Sequence, residues 1–141
     1  MTMDMDRTTN ILLVDDDEIA VMNVRRAFEK GKIDNPVFRA GDGFEALEML
    51  RGDAIPRARR LVLLDLNMPR MDGIEFLREL RADPDLQRTA VVMLTTSDAE
   101  RDRIEAYGFN VAGYLVKPVR FLAFVDLMTT LNHYWTLMEM P

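Results

Sequence analysis

Acidic, hydroxyl and amino side chains follow four of the five short apolar runs in this sequence. Asp15-Asp16-Asp17-Glu18 follow the first run, Asp65 the third, Thr95-Thr96-Ser97 the fourth and Lys117 the fifth. Each group alone has an ordinary explanation, because acidic residues and hydroxyls also favour helix N-termini. Carboxylates gathered at one place, however, would raise one another's pKa unless a cation joined them. Oxygen ligands without histidine or cysteine suit Mg²⁺, and a lysine beside a threonine suits a phosphoryl group.

The elements that must position these groups are predicted from apolar patterning. Short apolar runs predict strands at Ile11–Val14, Pro36–Ala40, Leu61–Leu64, Ala90–Leu94 and Gly113–Val116. Helical spacing between and after them predicts helices around Ala20–Phe28, Phe44–Leu50, Ile74–Leu80, Asp98–Tyr107 and Phe121–Leu131. Phe44 and Phe121 are counted among the inward-facing residues. The alternation predicts an α/β domain, a doubly wound five-stranded parallel sheet with five helices, whose ligands bind beyond the carboxyl ends of the strands.

Composition limits the classes of function. A chain of 141 residues with 48% hydrophobic and 30% charged residues fits one globular domain. The net charge of -6 argues against nucleic acid as a partner, and no apolar run reaches membrane-spanning length. The absence of cysteine excludes disulfides and thiolate sites and fits a cytoplasmic location. Arg57, Arg59 and Arg60 are interpreted as a solvated flank in a loop.

The segments ILLVDDDE, LLDLNMPRMDG, VVMLTTS and GYLVKP together resemble the receiver domain of two-component response regulators, of the chemotaxis-regulator type. The resemblance extends from about Asn10 to Leu131. The chain is a few residues longer than a minimal receiver between Asp16 and Asp65, and we expect a loop insertion at Gly52–Arg60 that leaves the site unaffected. The resemblance implies a flavodoxin-like receiver that accepts a phosphoryl group from a histidine kinase and signals by a conformational switch. Such a domain catalyses only its own phosphorylation and dephosphorylation, so it is not expected to be an enzyme in the usual sense.

The resemblance also assigns roles at the acidic edge. Asp65 would be the phosphoacceptor, a carboxylate nucleophile that also contributes to the metal site. Asp15 and Asp16 would organise Mg²⁺, with Asp16 as the preferred direct ligand. Asn67 would offer its backbone carbonyl to the same ion. Asp17 is interpreted as a helix cap.

The remaining roles concern the phosphoryl group and the switch. Thr95 would donate a hydrogen bond to the phosphoryl oxygens, and Lys117 would pair with them. Tyr114 corresponds to the aromatic switch position, whose ring moves inward as Thr95 is drawn to the phosphate. Pro118 matches the proline of the family that usually follows a cis peptide bond.

The ending LNHYWTLMEMP resembles single-domain regulators paired with bacterial phytochromes, which carry an aromatic C-terminal arm and dimerise. We therefore expect a lead-in at residues 1–9, a receiver at 10–132 and a C-terminal extension at 133–141 that forms a homodimer arm. Alternatively the last helix runs longer, because Trp135 and Met138 continue its inward spacing. With no room expected for an output module, the signal would pass through a partner protein, through dimerisation or onward to a histidine phosphotransfer protein.

Other interpretations of the sequence are possible. The segment GDGFEA at 41–46 fits a dinucleotide-binding pattern, but it follows the second strand, and the first turn, where pyrophosphate should lie, is acidic. An aspartate phosphatase would need a second acid where Asn67 stands, and His133 has no ligand partners near it in sequence. The alternative that stays open is a receiver-like interaction module that is not phosphorylated.

Overall fold

The structure, a computed structural model, describes residues 8–65, 73–95, 108–118 and 120–137, with Thr95 described by its backbone. Its strands are β1 Asn10–Val14, β2 Val37–Ala40, β3 Arg60–Asp65, β4 Ala90–Thr95 and β5 Gly113–Val116. Its helices are α1 Glu18–Lys30, α2 Gly43–Arg51, α3 Gly73–Ala82 and α4 Phe121–Leu137. The helix expected over Asp98–Tyr107 lies outside the described residues.

The five strands form one parallel sheet in the order β2-β1-β3-β4-β5. Consecutive strands are joined by helices wherever the connection is described, which confirms the predicted doubly wound α/β architecture. No helix within the described ranges is both long and apolar enough to cross a membrane.

Apolar cores cover both faces of the sheet. Because side chains alternate along a strand, Leu12 and Val14 of β1 pack with α2 and α3 on one face. Ile11 and Leu13 pack with α1 and α4 on the other face. The central strands are therefore buried on both sides, as a continuous apolar run requires in a parallel sheet.

Two aromatic residues do not face the core as predicted. Phe44 is 51% exposed and Phe121 is 39% exposed. Each lies in the first turn of its helix, on the side that does not contact the sheet. The apolar contacts are made by residues further along, such as Leu47 in α2 and Phe124 in α4.

The interpretation of the arginine-rich loop as a solvated flank is wrong for Arg59 and Arg60, which are 9% and 8% exposed. Arg60 donates hydrogen bonds to the carbonyls of Pro56, Leu50 and Ile55, at 3.0, 3.0 and 2.7 Å. A loop that packs against the protein leaves carbonyls that need donors, and arginine supplies five. The loop is thus folded around Arg60.

Arg59 connects three distant parts of the chain. Its Nη2 donates to the carbonyl of Trp135 at 2.5 Å and to the hydroxyl of Thr9 at 3.1 Å. Trp135 itself is 1% exposed and contacts Phe28 with a ring centroid distance of 6.0 Å. The helix therefore continues past residue 132 with the inward spacing of its earlier turns.

Candidate functional site

Strand register brings the functional positions to one edge of the sheet. Val14 pairs with Leu64, so Asp15 and Asp65, which follow them, emerge side by side. Asp65 pairs with Leu94, and Thr95 pairs with Val116. Lys117 follows Val116 directly, so all these positions lie at the carboxyl ends of adjacent strands, where ligands bind in this architecture.

Asp15, Asp16 and Asp65 form an acidic cluster. One carboxylate oxygen from each lies within 4.8 Å of the other two. Asp15 and Asp65 are buried, at 1% and 7% exposure, whereas Asp16 is exposed. The cluster thus has two carboxylates fixed in the sheet and one that opens to solvent.

Asp15 is the most constrained member. Its Oδ1 accepts a hydrogen bond from the Asp17 amide at 3.0 Å, but its buried Oδ2 has no hydrogen-bond partner among the described residues. Burial, reinforced by the nearby Asp65 carboxylate, raises the pKa of Asp15 to about 6, against the opposing effects of the Asp17 amide and Lys117. A buried acceptor without a donor is costly, so this oxygen is suited to a cation.

Lys117 lies between the two buried carboxylates. Its Nζ is 3.7 Å from Oδ2 of Asp15 and 3.9 Å from Oδ2 of Asp65. These are ion-pair distances that exceed those of good hydrogen bonds. The Lys117 side chain is 23% exposed, so the site is accessible to an incoming anion.

The donor set fits a hard divalent cation. All the candidate ligands are carboxylate oxygens, the type that Mg²⁺ and Mn²⁺ prefer, and Oδ2 of Asp15 has no hydrogen-bond partner among the described residues. Among the described residues this is the sole group of three or more acidic, histidine or cysteine side chains with such spacing. His133 is exposed and belongs to no such group.

The other expected site residues are described to different extents. Asn67 lies outside the described residues, and the structure gives Thr95 as the last residue of β4 without its side chain. Tyr114 is half-buried on β5 and packs against the core on the α2 and α3 face. The expectation of a cis peptide bond before Pro118 is wrong, because no peptide bond in the described segments is cis.

The prediction that Asp17 caps α1 is confirmed. Its side chain accepts from the Ile19 amide at 2.9 Å, and its backbone is extended, as an N-cap residue requires. This bond leaves Asp17 directed at the helix terminus, while Asp15 and Asp16 remain in the cluster with Asp65.

Sequence reasoning missed Arg39. This residue of β2 donates through Nε and Nη2 to the Asp15 carbonyl, and through Nη1 to Glu18 at 2.8 Å. It thereby holds the loop that carries the acidic pair. A charged residue next to the end of an otherwise apolar strand, with an acid in the first turn of α1, is a weak signal that could have indicated it.

The GDGFEA turn is closed by its own side chains. The Gly41 amide donates to Oε1 of Glu45 at 2.6 Å, and the Glu45 amide donates to Oδ1 of Asp42 at 2.9 Å. Asp42 is the N-cap of α2, and Glu45 binds the amide of the residue before it, so the arrangement is a variant of the capping box. Two amides of this turn are thus already bound by its own side chains, which agrees with the rejection of that interpretation.

Comparisons with known proteins agree with this geometry. Residues 11–129 match the family described as response regulator receiver domain. Response regulator Rcp1 of Synechocystis sp. is 35% identical over 129 residues, which cover 89% of this chain and 87% of that protein. The probable methanogenesis regulatory protein FilR2 of Methanothrix harundinacea is 36% identical over 130 residues, 89% of this chain and 82% of that protein.

Solved structures give the same result. The phosphorylated cyanobacterial phytochrome response regulator RcpA superposes with a TM-score of 0.79 at 32% identity, covering 95% of this chain and 99% of that one. The Mn²⁺-bound form of Rcp1 superposes with a TM-score of 0.77 at 33% identity, covering 94% and 99%. The second of these neighbours holds a divalent metal, in keeping with the donor set described above.

Proposed function

The chain belongs to the response regulator receiver domain family, and on that premise we propose that it is a single-domain regulator phosphorylated on Asp65. The observation that carries the proposal is the position of Lys117 Nζ, 3.7 Å from Asp15 and 3.9 Å from Asp65. The lysine charge thus lies beside both a buried acid that could hold a metal and the acid that would react.

In the proposed reaction a carboxylate oxygen of Asp65 attacks the phosphorus of a phosphohistidine on the partner kinase. A phosphorus–oxygen bond forms, the phosphorus–nitrogen bond breaks, and the released histidine nitrogen keeps the bonding electron pair. Asp65 is suited to this role because its place at the end of β3 fixes the carboxylate at the sheet edge. Phosphoryl transfer depends mainly on such positioning and on neutralisation of charge.

Asp15, Asp16 and Asp65, with the backbone carbonyl of Asn67, would hold Mg²⁺. When bound, the ion would neutralise part of the charge that builds up on the phosphoryl oxygens. Lys117 would pair with the phosphoryl group, which adds a charge of about -1.5 to -2. Asp15 Oδ2, which has no hydrogen-bond donor among the residues described, supports the assignment.

The signal would leave the site through Thr95 and Tyr114. Thr95 lies at the end of β4, beside β5 on which Tyr114 stands. A hydrogen bond from Thr95 to the new phosphoryl group would draw that strand end inward and leave room for the Tyr114 ring. The half-buried position of Tyr114 against the core supports a switch between an outer and an inner placement.

The partners follow from this function. The phosphodonor would be a histidine kinase, and the similarity to the phytochrome response regulator RcpA favours a bacterial phytochrome among such kinases. Onward transfer to a histidine phosphotransfer protein is a second route for the signal. Because these kinases take their phosphate from ATP, the exchange would occur in the cytoplasm.

We propose that the signalling form includes a homodimer, built on residues 133–141 as an extension of the receiver at 10–132, with residues 1–9 as a lead-in. Tyr134 and Leu137 support it, because they are 67% and 81% exposed in the last turn of α4. An apolar groove of about 230 Å³, lined in part by Leu115, Leu131 and Tyr134, lies beside them. Tyr134→Ser and Leu137→Ser would then shift the protein toward the monomer in sedimentation experiments.

The first experiment is incubation with Mg²⁺ and acetyl phosphate, followed by intact-mass measurement. A mass increase of one phosphoryl group is expected in the wild type and in Asp53→Asn, an exposed control, but not in Asp65→Asn. Absence of the increase in the wild type, with Mg²⁺ binding demonstrated by calorimetry, would make the chain a phosphate-independent interaction module.

A further inference from the structure

A polar cavity lies at the opposite end of strand β3 from Asp65. It has a volume of about 200 Å³ and is lined by Arg57, Arg60, Asp85, Leu86, Arg88 and Thr89. Arg60 is the first residue of β3 and Asp65 is the last of its six residues, so the two sites are roughly 17 Å apart along the strand. The cavity is therefore separate from the phosphoacceptor edge.

The charge around this cavity is opposite to that of the protein. Three guanidinium groups and one carboxylate line it, in a chain whose net charge is -6. Burial, and after it the charge of Arg57, lowers the pKa of Arg60. Like charges so close to one another are unfavourable by themselves, and an anion between them would relieve that repulsion.

The arginines differ in what they already bind. Arg60 is held by three loop carbonyls, which gives the cavity a fixed wall. Arg57 uses Nη2 to bind the carbonyls of Arg51 and Gly52, at 3.1 and 3.2 Å. Arg88 is exposed and has no hydrogen bond or ion pair among the described residues. Because each guanidinium has five N–H donors, several remain for a ligand.

We propose that this cavity binds a single oxyanion group, either a phosphate or a carboxylate terminus. Guanidinium groups match the geometry of such oxygens and can bind them in a bidentate manner. The volume is below the range of about 300–1,000 Å³ of sites for drug-sized ligands, so one anionic group is accommodated rather than a cofactor. The site would give the receiver an input independent of Asp65.

The test uses the full chain without Mg²⁺ at low ionic strength, with inorganic phosphate or a triglutamate peptide as the probe. Amide resonances of residues 52–60 and 83–89 are followed by NMR during the titration. Saturable shifts are expected, and Arg88→Gln should weaken binding about tenfold by removing charged donors. Asp85→Asn should strengthen binding, because it removes the one carboxylate that opposes an anion.

Arg25→Gln is the matched control, since it removes the same charge from an exposed position on α1. It should leave the affinity nearly unchanged. Saturation by phosphate alone would identify a phosphoryl ligand, and saturation by the peptide alone a carboxylate ligand. The proposal would be overturned if neither probe gave saturable shifts. It would also be overturned if Arg25→Gln and Arg88→Gln weakened binding equally.

Discussion

Arg39 holds the main-chain carbonyl of Asp15 by two hydrogen bonds, from Nε at 3.3 Å and from Nη2 at 3.2 Å. The same guanidinium also pairs with Glu18, at the start of α1. The loop that presents the acidic cluster is therefore anchored by an arginine on the neighbouring edge strand β2. This anchor acts on the backbone and leaves the Asp15 carboxylate available.

We expect Arg39→Ala to weaken Mg²⁺ binding by about tenfold, the usual scale for groups that orient metal ligands. Loss of the anchor lets the loop carrying Asp15 and Asp16 move relative to Asp65. Calorimetric titration with Mg²⁺ measures the change. Arg25→Ala, an equal loss of charge on α1, should have little effect. Equal affinities of Arg39→Ala and wild type would show that the loop is held without the arginine.

The raised pKa of Asp15, about 6 against 3.8 for an ordinary aspartate, predicts a pH dependence of stability without metal. Between these values the folded state binds more protons than the unfolded state, so the free energy of unfolding falls as pH rises. This contribution is fully present below about pH 4 and is lost as pH rises through about 6. Urea denaturation at pH 5 and pH 7 measures the free energy of unfolding at each pH. Its change between the two pH values should be smaller in Asp15→Asn than in the wild type. The same change in both proteins would contradict the assignment of this pH dependence to Asp15.

The same pKa predicts that protons and metal compete at Asp15. Mg²⁺ needs the carboxylate form, so its affinity should fall as pH drops below about 6. Titrations at pH 5 and 7.5 measure this fall. In Asp15→Asn the affinity should be low at both pH values, and a steep pH dependence in that variant would assign the titration to another group.

Gly31 is required by the approach of α4 and not by its own backbone angles. Its φ is -84°, yet a Cβ there would lie 2.7 Å from Oγ1 of Thr129. Gly31→Ala should lower the free energy of unfolding by about 1–3 kcal/mol through overpacking, and Thr129→Ala should restore part of it. Urea denaturation of the single and double variants tests this. Gly113→Ala, where a Cβ would meet nothing within 4 Å, is the control.

Arg59→Met should destabilise the protein by about 2 kcal/mol, because it removes the donor to the Trp135 carbonyl and the Thr9 hydroxyl. Methionine keeps much of the side-chain volume, so the loss reports the hydrogen bonds. Urea denaturation measures it, with Arg25→Met as the exposed control. Equal stability of these two variants would mean that α4 is held by its apolar face alone.

The sequence by itself determined the strands, the doubly wound parallel architecture and the acids at the strand ends. These features follow from local patterning. A buried parallel strand must be an apolar run, and the residues that bind ligands in this architecture follow the strands directly. The cap at Asp17 was predictable for the same reason, because it depends on residues two positions apart. The roles of Thr95 and Asn67 stay predictions from the family resemblance.

The tertiary structure alone decided which polar residues are buried and what they bind. Arg59 and Arg60 are adjacent in sequence, yet one binds the end of α4 and the other binds its own loop. Arg39 meets Asp15 across neighbouring strands, 24 positions apart. Such partners are brought together by packing of the whole chain, and no local pattern encodes which carbonyl will need a donor.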